Sequence, residues 1–384
     1  MDDRMYRQRL DRVRAGMRAW GAELMFVNYG ANMTYVAGLL TPIYYDILKG
    51  KGDWITGMLI SLDRDPVLVL QQSFAINIEN ETWIQDIRVL PQGQDPDAFL
   101  AQVLADFAAD GKTIAVSKML WGQTLLALQA GAPGARFIPA GDDMMDAVRA
   151  VKDPDELALM QRAAEITDLA MGATLKQMKI GMTERDVAVE VQYQIKRHGG
   201  DGDSFYPGII CVGNGSDPQR HIFTRNTDMV LAAGTSVAFD FGVLYRGYCS
   251  DFGRSVFMGE PRADALAAYR SITSLIGATT AIMADGQVTP AQIADFARDR
   301  VTADGFGEHY MYLGLGHSIG LDVHESPWLR PGYDDPIRTN MCFTVEPKIW
   351  VPGVFYVRCE DVVVVGADGA TPLTRFHYEP NIIE

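Results

Sequence analysis

The sequence has 384 residues, which is too long for one comfortable hydrophobic core and therefore predicts two domains. Its 34 basic and 49 acidic residues give a formal net charge of −15, which disfavours nucleic acid and anionic membranes as partners. No apolar run approaches the roughly 20 residues that span a bilayer, and the charged N-terminal segment lacks the apolar stretch of a secretory signal. We therefore expect a cytoplasmic protein whose four cysteines, which form no CxxC motif, are free thiols.

The first part of the chain alternates between helical and strand-like patterns, which is typical of an α/β domain. Apolar residues at helical spacing predict a first helix over 5–21, and a short apolar run predicts a strand over 23–28. Further strands are predicted at 58–62, 66–71 and 113–117, interleaved with helices at 97–109 and 122–130.

Asp153 and Pro154 form a helix-start signal just before a long periodic run over 156–178. We therefore expect a smaller α/β domain over 1–150 and a second domain over 151–384. The second domain combines long helices with many strands and is predicted to be α+β, with its polar motifs concentrated on the strands.

The first of two acidic pairs lies in an apolar hairpin. A two-residue turn at Tyr245–Arg246 would place Asp240 directly opposite Asp251. Opposed residues have Cβ atoms about 4.5–5.5 Å apart, so the two charges would repel unless a cation lay between them. A lone pair of this kind is more often exposed charge on a strand face.

A second hairpin repeats the arrangement. A turn centred on Gly353, with Pro352 before it, would place Glu346 opposite Glu360. Because charges are rarely buried unpaired in apolar strands, two such hairpins predict a metal site rather than two accidents.

Histidines complete the candidate site. His317 and His324 share one glycine-rich stretch, although either could be a core histidine bonded to a backbone carbonyl. Carboxylate oxygens together with imidazole favour a paired site of Mn, Zn, Co or Fe over a thiolate-bound metal. His221 lies shortly before the first hairpin and, taken alone, is typical of a surface loop.

Four stretches resemble a known family: VAFDFGVLYRGYCSDFGRS, GLGHSIGLDVHESP, MCFTVEPKIW and VRCEDVVVV. They are similar to the Xaa-Pro dipeptidases (prolidases) and Xaa-Pro aminopeptidases of the pita-bread metallopeptidase fold. The resemblance extends to a creatinase-like N-terminal domain and so covers nearly the whole chain. It implies an α+β pita-bread catalytic domain preceded by the smaller α/β domain, and a homodimer.

The resemblance implies five ligands for two divalent ions, with Mn expected and Co, Zn or Fe possible: Asp240, Asp251, His317, Glu346 and Glu360. Asp240 would hold the first ion, His317 and Glu346 the second, and the remaining two carboxylates would bridge both. Such a pair of ions activates a bridging water as hydroxide.

The remaining roles are also implied by the family. Glu346 would act as general base. His221 and His324 would be catalytic groups on the substrate side, and Arg358 would orient Asp251 or Glu360 from behind. The implied reaction is hydrolysis of the Xaa-Pro bond in dipeptides or short peptides.

Several positions depart from the family pattern, among them Lys348 after the Glu-Pro pair and Trp328 after the second histidine motif. The resemblance therefore does not fix which substrate the pocket accepts. The same fold hosts a metal-dependent dimethylsulfoniopropionate lyase, so hydrolysis or lysis of a small non-peptide substrate is the alternative. His324, which that lyase lacks, favours amide hydrolysis. A non-catalytic binding protein is a third hypothesis, against which the intact ligand set argues.

Overall fold

The computed structural model describes residues 3–40, 51–78, 81–213, 226–311 and 314–384. The chain divides into two compact units, Met1–Arg149 and Ala150–Glu384, whereas the sequence predicts a boundary after residue 150. Within the described ranges, no helix is both long enough and apolar enough to cross a membrane.

The first unit is built on one mixed sheet. Its strands are Leu24–Asn28 (β1), Gly57–Ser61 (β2), Val67–Leu70 (β3), Asp86–Val89 (β4), Thr113–Val116 (β5) and Arg136–Ile138 (β6). Its helices are Asp3–Ala19 (α1), Ala31–Ala37 (α2), Gln72–Ile78 (α3), Pro96–Asp106 (α4), Gly122–Gly131 (α5) and Gly141–Ala150 (α6). The sheet order is β4-β3-β2-β1-β5-β6, with β1 antiparallel to β2 and parallel to β5. The predicted α/β character of this unit is thus present, with element bounds close to those expected.

The second unit contains most of the strands. Its helices are Pro154–Leu175 (α7), Glu184–Arg197 (α8), Ala263–Ile282 (α9) and Pro290–Ala303 (α10). Its strands before α9 are Gly202–Asp203 (β7), Gly208–Val212 (β8), Thr235–Phe241 (β9), Val243–Tyr245 (β10), Tyr248–Cys249 (β11) and Phe252–Met258 (β12). Those after α10 are Gly316–Ser318 (β13), Glu325–Leu329 (β14), Cys342–Val345 (β15), Lys348–Val351 (β16), Phe355–Arg358 (β17), Asp361–Val365 (β18), Ala370–Pro372 (β19) and Asn381–Ile383 (β20).

Three of these helices, α7, α8 and α10, begin with capping boxes. The Asp153 carboxylate accepts a hydrogen bond from the Glu156 N–H, and the Glu156 carboxylate accepts one from the Asp153 N–H, both at 2.9 Å. Thr183 and Asp186 form the same reciprocal pair at the start of α8. Each box satisfies backbone donors that the first helical turn leaves free, which explains why the Asp153–Pro154 signal located the start of α7.

Helix pairs cover the two large sheets of this unit. Helices α7 and α8 share a buried core with the sheet of order β20-β12-β9-β8. Helices α9 and α10 share a second core with the sheet of order β14-β13-β15-β18-β19. The faces of β9 and β15 that are turned away from the helices are therefore available to form a site.

A pair of backbone hydrogen bonds joins the two sheets. The Gly253 N–H donates to the Glu360 carbonyl at 3.2 Å, and the Glu360 N–H donates to the Gly253 carbonyl at 2.8 Å. This bridge brings the start of β12 against the segment between β17 and β18, so residues from both hairpins meet here.

A buried ion pair holds this junction. The Arg254 guanidinium is 0% exposed, donates to the carbonyls of Gly253 and Glu360 at 2.8 Å, and pairs with Asp361 at 2.9 Å. Tyr378 donates its hydroxyl to the same Asp361 carboxylate at 2.7 Å. Because every charge here has partners, the pair can fix the backbone on both sides of the bridge despite its burial.

The Arg254–Asp361 pair predicts a large stability effect. Removal of one partner from a buried ion pair typically costs about 3–5 kcal/mol, because the other charge remains buried alone. We therefore expect Asp361→Asn to lower the urea midpoint of unfolding strongly, as followed by tryptophan fluorescence. The matched control is Glu165→Gln, which breaks the exposed pair with Arg162 and should cost under about 1 kcal/mol. Equal midpoints for the two variants would contradict this role.

Candidate metal centre

The first hairpin has a different register from the one predicted. Its turn is at Arg246–Gly247, where both residues have positive φ, 48° and 85°. A two-residue turn of this kind matches the twist of the strands and favours glycine at its second position. Asp240 consequently pairs with Gly253 and not with Asp251, so the predicted register was wrong by two residues.

The shift does not separate the two aspartates. Side chains alternate between faces with a period of two, so Asp251 and Gly253 have the same facing and Asp251 remains on the side of Asp240. Oxygens of Asp240, Asp251 and Glu360 all lie within 4.8 Å of one another. The predicted pairing was wrong, but the predicted convergence is present.

The second hairpin has the predicted register. Val345 pairs with Asp361 on one side and Lys348 with Arg358 on the other, so the same alignment sets Glu346 across from Glu360. The strands turn at Gly353, which has a φ of 71°.

His317 faces the carboxylates from β13. Its Nε2 lies 3.6 Å from Asp251 Oδ2 and 3.5 Å from Glu346 Oε1. Its Nδ1 lies 3.0 Å from the Ser318 carbonyl oxygen, which places the proton on Nδ1 and leaves a lone pair on Nε2. The ring is therefore set up as a metal ligand through Nε2.

Arg358 is the cation at the centre of the carboxylates. Its guanidinium contacts Asp240 and Glu360, and one nitrogen lies 3.1 Å from Glu346 Oε2. The sequence led us to expect contact with Asp251 or Glu360, and the Glu360 contact is present. A Cβ on residue 253 would lie 2.6 Å from Arg358 Nε, so Gly253 leaves the room that this arginine occupies.

Burial and crowding shift the protonation of the cluster. Burial, reinforced by the charges of Glu360 and Asp240, raises the pKa of Asp251 well above its ordinary value. Burial also raises the pKa of Glu360 to about 8, although Arg358 opposes this. Burial lowers the pKa of His317, which keeps the imidazole neutral near pH 7, as a ligand must be.

Glu346 behaves differently from its neighbours. Burial acts to raise its pKa, but the charges of Lys348 and Arg358 outweigh burial and lower it to about 2. Lys348 Nζ contacts Glu346 Oε2 directly. Glu346 is thus held as a carboxylate.

Two carboxylate oxygens of the cluster are buried in a way that suits binding of a cation. Among the described residues, Asp251 Oδ1 and Glu360 Oε1 are buried oxygens that find no hydrogen-bond partner. Buried acceptors of this kind normally have partners, and oxygens grouped with an imidazole nitrogen form a donor set that divalent ions accept. The four carboxylates and His317 together can therefore hold divalent metal.

A cavity of about 470 Å³ opens over this cluster. His324 lines it and stacks on Trp328, with ring centroids 5.5 Å apart and an angle of 8° between the rings. The His324 ring also meets His317 edge-on at 4.4 Å. His324 is therefore positioned beside the predicted metal ligand His317 and against the space a substrate would fill. His221 lies outside the described residues, and its predicted role stays a prediction.

Two supporting contacts were missed by sequence reasoning. Lys152 forms a buried ion pair at 3.1 Å with Glu325, the residue after His324, and lies 3.5 Å from the Ser318 hydroxyl, next to His317. The Arg254–Asp361 pair likewise supports the Glu360 backbone. The partners are far apart in the sequence, so no local spacing signals either pair.

Comparison with known proteins assigns the chain to a family. A model of metallopeptidase family M24 matches residues 158–367, more than half of the chain. The chain belongs to metallopeptidase family M24. A model described as the creatinase/prolidase N-terminal domain matches residues 9–151 of the same M24 protein.

Individual relatives are similar to this chain over nearly its full length. An Xaa-Pro dipeptidase of Lactobacillus helveticus is 30% identical over 357 residues, covering 92% of this M24 chain and 95% of the relative. An Xaa-Pro dipeptidase of Lactobacillus delbrueckii subsp. lactis is 27% identical and covers 97% and 98%. A crystal structure of an X-Pro aminopeptidase from Thermotoga maritima superposes with a TM-score of 0.81 at 25% identity, covering 96% of this chain and 100% of that one.

These findings confirm the predicted family and fold class. The M24 protein has a creatinase-like N-terminal domain and an α+β pita-bread domain, and it is a metallopeptidase. The family is typically metal-dependent, which agrees with the acidic cluster at the junction of the two sheets.

The raised pKa values predict how metal-free protein responds to pH. Folded Glu360 holds its proton up to about pH 8, whereas an unfolded glutamate loses it near 4.5. Stability is therefore lost as pH rises through this window. His317 opposes the trend only below about pH 6.5, where unfolded histidine is charged. We expect the thermal midpoint of metal-free protein to fall between pH 6.5 and 8.

The same groups must lose their protons when metal binds. We expect about one proton or more to be released per protein when Mn²⁺ is added at pH 7, measured with a pH indicator in weak buffer. Mn²⁺ already saturated with a chelator provides the blank. Metal binding without proton release would contradict the protonation assigned to Glu360 and Asp251.

Proposed function

We propose that this metallopeptidase hydrolyses the bond before proline in dipeptides or short peptides, using two divalent ions. The observation that carries the proposal is the convergence of four buried carboxylates and His317 below a cavity of small-molecule size. The relatives named above are Xaa-Pro peptidases, which favours peptide hydrolysis over the lyase alternative.

The proposed ligands divide between the two ions. Asp240 would hold one ion, His317 and Glu346 the other, and Asp251 and Glu360 would bridge both. When bound, such ions would activate a bridging water as nucleophile and polarise the scissile carbonyl. We propose Mn²⁺ as the metal, with Co, Zn or Fe as substitutes, since a donor set dominated by oxygen accepts all of them.

The protein's own groups position the reactants and move the proton. Glu346 is held as a carboxylate by the neighbouring charges of Lys348 and Arg358, so an oxygen without a proton would face the attacking water as general base. Arg358 contacts three of the carboxylates and so holds them in fixed positions around its guanidinium.

His324 would act on the substrate. The ring is held between Trp328 and His317, and Lys152 fixes the neighbouring Glu325. A ring oriented in this way can donate a hydrogen bond to the substrate carbonyl as negative charge develops on its oxygen. We propose the same kind of role for His221.

We further propose a cytoplasmic homodimer that acts on small peptides and binds neither nucleic acid nor membrane. Four buried free cysteines fit a reducing compartment. Large apolar side chains are exposed on the first unit, including Met119 at 79% and Leu126 at 67%, and a dimer interface would cover such residues. The net charge of −15 argues against polyanionic partners.

Hydrolysis tests the proposal directly. We expect the Mn²⁺-loaded protein to release proline from glycyl-proline, to lose this activity on chelation, and to regain it with Mn²⁺ or Co²⁺. Proline is measured colorimetrically, with glycyl-alanine as the substrate control. Release of dimethyl sulfide from dimethylsulfoniopropionate without release of proline would contradict the peptidase assignment.

Substitution separates ligands from the substrate-side histidine. Asp251→Ala should lose metal and nearly all activity, since it removes an oxygen proposed to touch both ions. His324→Ala should retain metal while turnover falls by roughly 100-fold or more. Metal content is measured by atomic emission after gel filtration. A similar loss of metal in both variants would show that His324 is a ligand.

A further inference from the structure

The first unit contains a cavity of its own, with a volume of about 420 Å³. It is close in size to the cavity of about 470 Å³ over the metal centre, but none of the residues assigned to that centre lines it. Tyr29 and Gly30, which follow β1, line the cavity together with Leu120 and Trp121, which follow β5. A cavity of this size can enclose a small molecule.

The position of this cavity in the sheet is one at which α/β domains bind ligands. Strands β1 and β5 are neighbours and run parallel, so their carboxyl ends meet at the same edge of the sheet. The chain continues from β1 to β2 on one side of this pair and from β5 to β6 on the other. Connections that diverge in this way leave a crevice beyond the two strand ends, and open α/β sheets bind their ligands in such crevices.

Three aromatic rings line the cavity, those of Tyr29, Trp54 and Trp121. Trp121 is 40% exposed and lies directly before α5, whereas Trp54 packs partly against the core of the first unit. The Thr124 hydroxyl, on α5, donates to the Trp54 carbonyl at 2.7 Å. The two tryptophan walls are thus tied to each other by a contact of the protein itself.

Two buried polar side chains line the same cavity. Asp53 is 2% exposed and Thr56 is 5% exposed. Within the described ranges, the buried Thr56 hydroxyl finds no hydrogen-bond partner. Buried hydroxyls normally have one, because an unmade hydrogen bond leaves the cost of burial uncompensated. A ligand with a polar group beside Thr56 would supply this partner.

The charges around the cavity favour a cation as that ligand. Asp53 is the one charged side chain among the described residues that line it. Lys118, which lies next to the lining segment in sequence, is paired with Asp143 at 2.6 Å. Burial, together with the charge of Glu81, raises the pKa of Tyr29 to about 12, so this wall stays a neutral ring. An ammonium group is attracted both by a carboxylate and by the faces of aromatic rings, whereas an anion is repelled.

We propose that this cavity is a binding site for a small organic amine. The ammonium group lies beside Asp53 and Thr56, and the apolar or aromatic body of the ligand packs against Tyr29, Trp54 and Trp121. The site shares no lining residue with the metal centre, so it does not depend on the peptidase reaction proposed for the second unit.

Calorimetry on the Mn²⁺-loaded protein tests the site with three probes of similar shape. Phenethylamine is a cation, 2-phenylethanol is neutral and 3-phenylpropanoate is an anion. We expect phenethylamine to bind at least roughly 10-fold more tightly than 2-phenylethanol, because a hydrogen bond to a charged group is the stronger one, and 3-phenylpropanoate not to bind. Equal affinity for the amine and the alcohol, or no binding of the amine below about 10 mM, would overturn the proposal.

Substitutions locate the bound amine. Thr56→Val keeps the shape of the side chain but removes the hydroxyl, so phenethylamine should bind roughly 3- to 10-fold more weakly. Trp121→Ala removes a partly exposed ring and should weaken binding by a similar factor. The matched control is Trp20→Ala, which removes a ring of 48% exposure outside the cavity lining and should leave binding unchanged.

The two cavity variants also guard against misfolding, which circular dichroism detects. Because Trp121 lies at the surface, Trp121→Ala tests the site even where Thr56→Val does not fold. Phenethylamine binding that is weakened in Trp121→Ala but not in Trp20→Ala supports the proposal. Wild-type affinity in the folded cavity variants would show that the amine binds elsewhere, and the proposal would be overturned.

Discussion

Mutual repulsion among buried carboxylates is the constraint on which the catalytic domain depends. Asp240, Asp251 and Glu360 bring oxygens within 4.8 Å of one another, and Arg358 contacts two of these three residues. One guanidinium cannot neutralise such a cluster, which is why burial and crowding raise the pKa of Glu360 to about 8. Divalent ions would relieve the remaining repulsion, so the stability of this unit and its chemistry depend on the same charges.

The strand pattern explains how much of the centre could be predicted. The hairpin around Gly353 was predicted in register because proline and glycine mark its turn. The hairpin around Arg246–Gly247 was misplaced by two residues, since an arginine with positive φ leaves little trace in a sequence. The period of two in a strand made this error harmless for convergence, because every alternate residue shares a face. The predicted cross-strand pairing was wrong, but the side chains predicted as ligands lie close together.

Long-range ion pairs are the part that sequence reasoning missed. Lys152 pairs with Glu325 across 173 residues of sequence, and Arg254 pairs with Asp361 across 107. In the sequence alone, each of these charged residues suggests an exposed side chain. The partners come together only when the second unit folds. These pairs hold the backbone beside His324 and beside Glu360. The contacts that sequence reasoning missed therefore support the predicted site residues and do not belong to the site itself. Lys348 was noted as a departure from the family, but its contact with Glu346 required the hairpin geometry.

Anomalous diffraction from Mn²⁺-soaked crystals tests the central claim most directly. The account predicts two peaks about 3.5–4 Å apart, one beside Asp240 and one beside His317 and Glu346, with Asp251 and Glu360 in contact with both. The unpartnered oxygens of Asp251 and Glu360 should each face an ion. Mn²⁺ peaks that lie beside other residues, with none in contact with these five side chains, would contradict the proposed metal centre.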